Sequence, residues 1–185
     1  MTTLLDLFKT IDTQKDVDIQ HTLQVMLAKS PAFIAEDAAY YYDNLDKVVL
    51  QNANIKSIEP LRYLTNVKTL VLDNNQISDI SPLFDLPSVR HLNLISNEVT
   101  DVEGIDNLQT LEQLYIGLNL VRDVTPISNI LNLRYLGLRG NTRVTDISSL
   151  SRLTNMVSVN LSGTSVSNED ADMLLGVLPG CKVIV

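Results

Sequence analysis

Asn75, Asn97, Asn119 and Asn141 stand 22 residues apart, and this period constrains the chain more than any other feature it has. Spacings of this size belong to units that each form one small turn of structure and cannot bury an apolar edge alone, so the units must stack on one another. The apolar residues keep the same period. Counting from the first apolar residue of a unit, position 1 is Leu45, Val67, Val89, Leu111 and Leu133; position 4 is Val48, Leu70, Leu92, Leu114 and Leu136; position 6 is Leu50, Leu72, Leu94, Ile116 and Leu138. Positions 4 and 6 share the parity of a short strand with alternate residues pointing inward. Positions 11, 14, 17 and 20 read Ile77, Ile80, Leu83 and Leu86 in the second unit and Val99, Val102, Ile105 and Leu108 in the third. Apolar residues at every third place suit a tight helical return. The expected product is a solenoid whose strands pair into a parallel sheet at a spacing of about 4.8 Å.

The ends depart from the period. The fifth unit holds one extra residue, since Val144, Ile147, Leu150 and Leu153 are all displaced by one before Met156 restarts the register; a bulge is expected near Thr142 and Arg143. The sixth unit begins with Met156, Val159 and Leu161 and then stops repeating. Ser167 can cap a helix from about Asn168 to Leu178, with Glu169 and Asp170 in its first turn. Pro179 and Gly180 end that helix, and the final residues form an edge strand. Residues 1–44 follow a helical period instead: Leu4, Phe8 and Ile11 share one face, and Ile19, Leu23 and Met26 or Leu27 another. Ser30 and Pro31 open a third helix containing Ile34, Ala38 and Tyr41. These helices read as a cap over the first repeat or as a small separate interaction domain.

The stretches VKTLVLDNN, VRHLNLISN, LEQLYIGLN and LRYLGLRGN resemble leucine-rich repeats. Their 22-residue length, with NQISDISPL and NLVRDVTPI, resembles the internalin-like bacterial class over residues 45–166. The expected fold is therefore an α/β leucine-rich-repeat solenoid with a parallel sheet on its concave face. An N-terminal helical cap covers 1–44, repeats starting at 45, 67, 89, 111, 133 and 156 cover 45–166, and a capping helix and strand cover 167–185. Residues 1–44 do not follow the internalin cap, which argues against a secreted adhesin. The resemblance implies that the concave surface binds proteins.

Net charge is −8, and the 14 basic residues are dispersed, whereas phosphate-backbone binding rests on clustered Lys and Arg. Nucleic acid is not expected as a partner. No polybasic segment marks a membrane surface, and no apolar run approaches the ~18 residues of a membrane span. The first residues show no secretory signal and Cys181 is the one cysteine, so the expected location is cytoplasmic.

The recurrent polar residues have structural readings. The position 9 asparagines can donate and accept at once, and so satisfy backbone groups where the chain leaves each strand; Ala53 and Thr164 replace them in the end units. Asp79, Asp101, Asp123 and Asp146 precede the returns, where local N–H bonding is favoured over a calcium site. Pro60, Pro82 and Pro126 follow, as suits a first helical turn. His21 and His91 lie far apart and form no metal motif, the glycines of GLRG at 137–140 are not a phosphate cradle, and no catalytic grouping is present. No catalytic residue, metal or cofactor is expected.

Positions 3, 5 and 7 face out from the sheet. Among them Val71, Asp73, His91, Asn93, Ile95, Gln113, Tyr115, Tyr135 and Arg139 are the candidate partner-binding residues, because Tyr and Arg are favoured interface anchors and the solenoid's own packing needs none of the exposed apolar ones. Gly117 and Gly137 are expected to leave room beside the tyrosines. The sequon at Asn160–Ser162 is read as chance. The expected function is a monomeric, non-catalytic module binding a protein of unknown identity. Alternatives are a homodimer through the C-terminal edge strand and a bacterial effector or adhesin-type host-interaction protein.

Overall fold

A computed structural model describes residues 2–30 and 35–185. Seven three-residue strands form one parallel sheet in chain order: β1 (Lys47–Val49), β2 (Thr69–Val71), β3 (His91–Asn93), β4 (Gln113–Tyr115), β5 (Tyr135–Gly137), β6 (Ser158–Asn160) and β7 (Lys182–Ile184). The register follows the sequence period: Leu70 pairs with Leu92, Leu92 with Leu114 and Leu114 with Leu136. The position 4 and position 6 residues of all these units are buried, as are Ile77, Ile80, Leu83 and their counterparts in the next units. Each such side chain contributes about 1.5–3 kcal/mol by leaving water, and the stack makes the contributions continuous. Short 3₁₀ turns return the chain at Glu59–Tyr63, Ser81–Leu83, Ile105–Asn107, Pro126–Asn129 and Ser148–Arg152. Pro60, Pro82 and Pro126 occupy their first turns, where a missing N–H costs nothing.

The extra residue of the fifth unit is taken up at Thr142 and Arg143, where the bulge is expected, and leaves the sheet in register. Val144 N donates to Asn141 O at 3.1 Å, closing a turn over Thr142 and Arg143, and β6 pairs with β5 as Leu136 to Val159 with no slip. Within β5 an extra residue would have broken ladder hydrogen bonds on both sides, whereas the turn after Asn141 carries none to lose.

The asparagines form a ladder that bonds backbone to backbone through side chains. Asn97 Oδ1 accepts from Ile77 N at 3.0 Å, while its Nδ2 donates to Leu72 O and Leu94 O at 3.0 Å each. Asn75, Asn119 and Asn141 repeat the pattern against the preceding unit. Each strand-end carbonyl at Leu72, Leu94 and Ile116 thus receives donors from two asparagines.

The Asp column works locally. Asp79, Asp101, Asp123 and Asp146 accept from the N–H two residues ahead, at 2.8–2.9 Å. The Thr125 hydroxyl and N–H hold the Asp123 carboxyl below its usual range, and the Ser148 N–H and hydroxyl do the same for Asp146. A carboxyl lowered in the folded state stabilises it above the ordinary value of 3.8, and that contribution disappears as pH falls through the lowered value. The Asp123→Ala, Asp146→Ala double variant is expected to lose thermal stability at neutral pH and to converge on the native chain as pH falls below the ordinary carboxyl value of 3.8. Thermal melts across that range would show parallel curves if the carboxylates carried no charge-dependent bond.

Among the described residues there are four α-helices: α1 (Leu4–Lys9), α2 (Val17–Lys29), α3 (Ala35–Asp43) and α4 (Asn168–Val177). Thr3 and Asp6 form a capping box on α1, and Asp16 caps α2. Leu4, Phe8, Leu23, Met26, Ala38 and Tyr42 belong to the same apolar core as the repeats, which places the N-terminal helices on the solenoid end. Tyr42 donates to Met26 O at 2.9 Å, and burial pushes its hydroxyl pKa up. His21 Nε2 lies 2.7 Å from Ala53 O, so that nitrogen carries the proton, and Thr22 donates to Ser57 O at 2.6 Å. These two polar groups serve the first unit, which has no preceding unit. Pro31 and Ile34, expected in the third helix, lie outside the described residues. Ser167 caps α4, Leu178 follows it as C-cap, and Cys181 is buried under β7.

Candidate functional site

The outward positions divide into two regions. Tyr115 on β4, Tyr135 on β5, Ile95 after β3 and Arg139 after β5 line one open cleft of about 370 Å³ with Leu118, and Ser158, Asn160 and Ile184 complete its lining. Val71, Asp73, His91, Asn93 and Gln113 do not line it; they continue the same face toward β1. There Asp73 accepts from Asn74 Nδ2 at 2.9 Å and Asn93 Nδ2 at 3.1 Å, and Asn93 Oδ1 accepts from Ile95 N at 3.1 Å. The polar groups of this region are therefore largely committed to one another.

The cleft exists because of Gly137. In the parallel register Tyr115 lies beside Gly137, and a Cβ at that glycine would come within 3.0 Å of Tyr115 Cδ1. The ring leans into the space a side chain would fill. Gly117 plays a different part from the one expected: a Cβ there would meet Arg139 O at 2.9 Å, so it admits the neighbouring backbone instead of a tyrosine ring. Tyr135 stands under the Arg134 guanidinium, 5.9 Å from the ring centroid (a cation–π pair of modest strength). Tyr115 donates a long 3.4 Å bond to Gln113 Oε1.

Leu118 is the residue that sequence reasoning missed. It sits at position 8, where the chain takes a left-handed turn in every unit: Asn52, Asn74, Ser96, Leu118, Gly140 and Gly163 all have positive φ. Asn, Ser and Gly tolerate that geometry, whereas a branched apolar side chain is held there at a cost of about 1–2 kcal/mol. Leu118 has φ of 54° and is 50% exposed: its tip rests over Gly140 of the next unit, so the strain brings only partial burial in return. Its column of Asn, Ser and Gly in the sequence was the available signal. Ile184 was missed for a different reason: the last strand falls outside the repeat period.

Among the described residues no group of His, Cys, Asp or Glu is placed to hold a metal ion, and no helix is long and apolar enough to cross a membrane. Burial raises the Cys181 thiol above its ordinary value, which is the opposite of what a nucleophile requires.

Residues 43–85 match the family model described as leucine rich repeats, two copies. Among solved structures, an internalin from Listeria monocytogenes is 27% identical with a TM-score of 0.62, over 77% of this chain and 48% of its own. A leucine-rich-repeat protein of Leptospira interrogans is 24% identical with a TM-score of 0.72, over 77% of this chain and 38% of its own. Internalin C2 from Listeria monocytogenes is 24% identical with a TM-score of 0.60, over 97% and 80%. The chain thus spans about half or less of the first two structures it resembles. No curated protein matches it. The stacked strands, the asparagine ladder and these likenesses show that the chain has the leucine-rich-repeat solenoid fold. More narrowly, its 22-residue units resemble those of the internalin.

Proposed function

We propose that the chain is a non-catalytic module that binds a protein through its concave sheet, with the cleft between Tyr115, Leu118, Tyr135 and Ile184 as the centre of contact. The leucine-rich-repeat fold is that of an interaction module in general. The observation that carries the specific reading is Leu118. An apolar residue kept half exposed in a left-handed turn, at a position that Asn, Ser or Gly fills elsewhere, gains little burial for its strain, and such strain is a mark of functional sites. Its contact with a partner supplies the missing burial.

The test exploits the opposite signs of the two effects. Leu118→Gly relieves the turn and is expected to raise unfolding stability by up to about 1 kcal/mol, since glycine also adds freedom to the unfolded chain. The same variant is expected to retain less of the protein that the immobilised native chain captures from its own cell extract. Unchanged capture by a chain that melts at the same or a higher temperature would remove Leu118 from the contact and with it the reason for placing the site here.

A further inference from the structure

The charge of the concave face is opposite in sign to that of the molecule, and this selects an occupant for the cleft. Of the 22 acidic residues, Asp73 alone occupies an outward position on the sheet, and its carboxylate already accepts from Asn74 and Asn93. Against it stand Lys47 on β1, Arg139 at the cleft and Lys182 on β7, which follows Ser158 in the register. The ion pairs of the described residues use Lys9, Arg62, Lys68 and Arg90, none of them on this face. Arg139 is exposed and its guanidinium makes no hydrogen bond or ion pair among the described residues; its neighbours in the same column are Gly117 and Ser162. It is also the one charged group on a wall that is otherwise mostly aromatic and aliphatic.

We infer that the cleft takes an acidic peptide segment of a partner protein, in which an apolar side chain seats against Tyr115 and Leu118 while a neighbouring carboxylate pairs with Arg139. The inference rests on the concave-face reading above and adds the chemistry of the ligand. The overall charge of −8 does not oppose it. Screening at physiological salt acts over about 8 Å, so a docked segment experiences the local cations more than the distant acidic returns. A guanidinium presents two parallel donors to a carboxylate, whereas a basic segment would bring its cation against Arg139 with no acid nearby to answer it. A nucleic acid does not suit the same face, because one arginine and two separated lysines fall short of the phosphate contacts such binding requires.

The experiment is a selection of displayed random linear peptides on the full chain, followed by anisotropy measurements with the enriched peptides. Sequences with Asp or Glu next to Leu, Phe or Trp are expected to dominate. Arg139→Ala should weaken them roughly fivefold to tenfold, and selection on Arg139→Glu should replace the acidic residues with Lys or Arg. Arg139 is exposed and bonds the sheet only through its backbone, so both variants should fold. Peptides that lose binding to Tyr115→Asp but show no acidic preference, or that bind Arg139→Glu as tightly as the native chain, would overturn the acidic assignment and leave the concave site standing. Peptides indifferent to Tyr115→Asp, or no enrichment at all, would overturn the concave site and the ligand chemistry together.

Discussion

Asn119→Ala is expected to lower the unfolding free energy by about 3 kcal/mol. The side chain is 5% exposed and its amide makes bonds that no solvent can replace. Oδ1 accepts from Val99 N at 2.9 Å, and Nδ2 donates to Leu94 O at 2.9 Å and Ile116 O at 3.0 Å. Alanine leaves the Val99 N–H buried without an acceptor, a penalty of about 1–3 kcal/mol on its own. The two carbonyls lose less, since Asn97 still donates to Leu94 O and Asn141 to Ile116 O. Asn119→Asp should be at least as harmful, because the carboxylate keeps the acceptor but faces two carbonyl oxygens with no donor. The damage also falls at a junction. Solenoid stability is a sum of unit and nearest-neighbour terms, so weakening the interface of the third and fourth units should broaden the urea transition and reduce its slope. A loss under about 1 kcal/mol with an unchanged slope would mean that apolar stacking alone couples the units.

That ladder was legible in the sequence because a period fixes which residues share an environment. Once Leu70, Leu92, Leu114 and Leu136 are placed in one column, register, burial and the role of position 9 follow without reference to tertiary structure. Contacts outside the period were not legible. His21 and Thr22 meet Ala53 O and Ser57 O, and nothing near either histidine or threonine in the chain indicates that pairing. The extra residue before Val144 was visible, but its resolution as a turn depends on the relative cost of breaking the ladder on β5, which is a property of the assembled sheet. The candidate site shows the same division. Parity places Tyr115, Tyr135, Ile95 and Arg139 on one face with Val71, Asp73, His91, Asn93 and Gln113, yet it carries no information on where that face is hollow. The hollow depends on the Tyr115 ring occupying the space above Gly137, a matter of rotamer and neighbour. Leu118 was obscured because a leucine in a leucine-rich repeat is naturally read as core.

The Tyr115→Asp, Tyr135→Asp double variant is expected to reduce partner binding by about a thousandfold while leaving the fold intact. Buried aromatic anchors at interfaces cost about 2 kcal/mol or more each when truncated, and two such losses approach 4 kcal/mol, near three decades in affinity. The folding cost is smaller because both side chains are only partly covered by the chain itself. Their strand neighbours keep the sheet: Leu114 and Leu136, between and beside them, are buried on the opposite face. The introduced carboxylates would also answer Arg139 from within the chain and repel an acidic segment, so the variant removes both the apolar seat and the free cation. Gly137→Val separates these contributions. It adds no charge, but its Cβ would begin at 3.0 Å from Tyr115 Cδ1, forcing the ring out of the cleft. Binding lost in both variants identifies the seat formed by the Tyr115 ring as the main source of affinity. Binding lost only with the aspartates assigns the larger share to the charge, and binding retained in both, with native circular dichroism, places the partner on another surface.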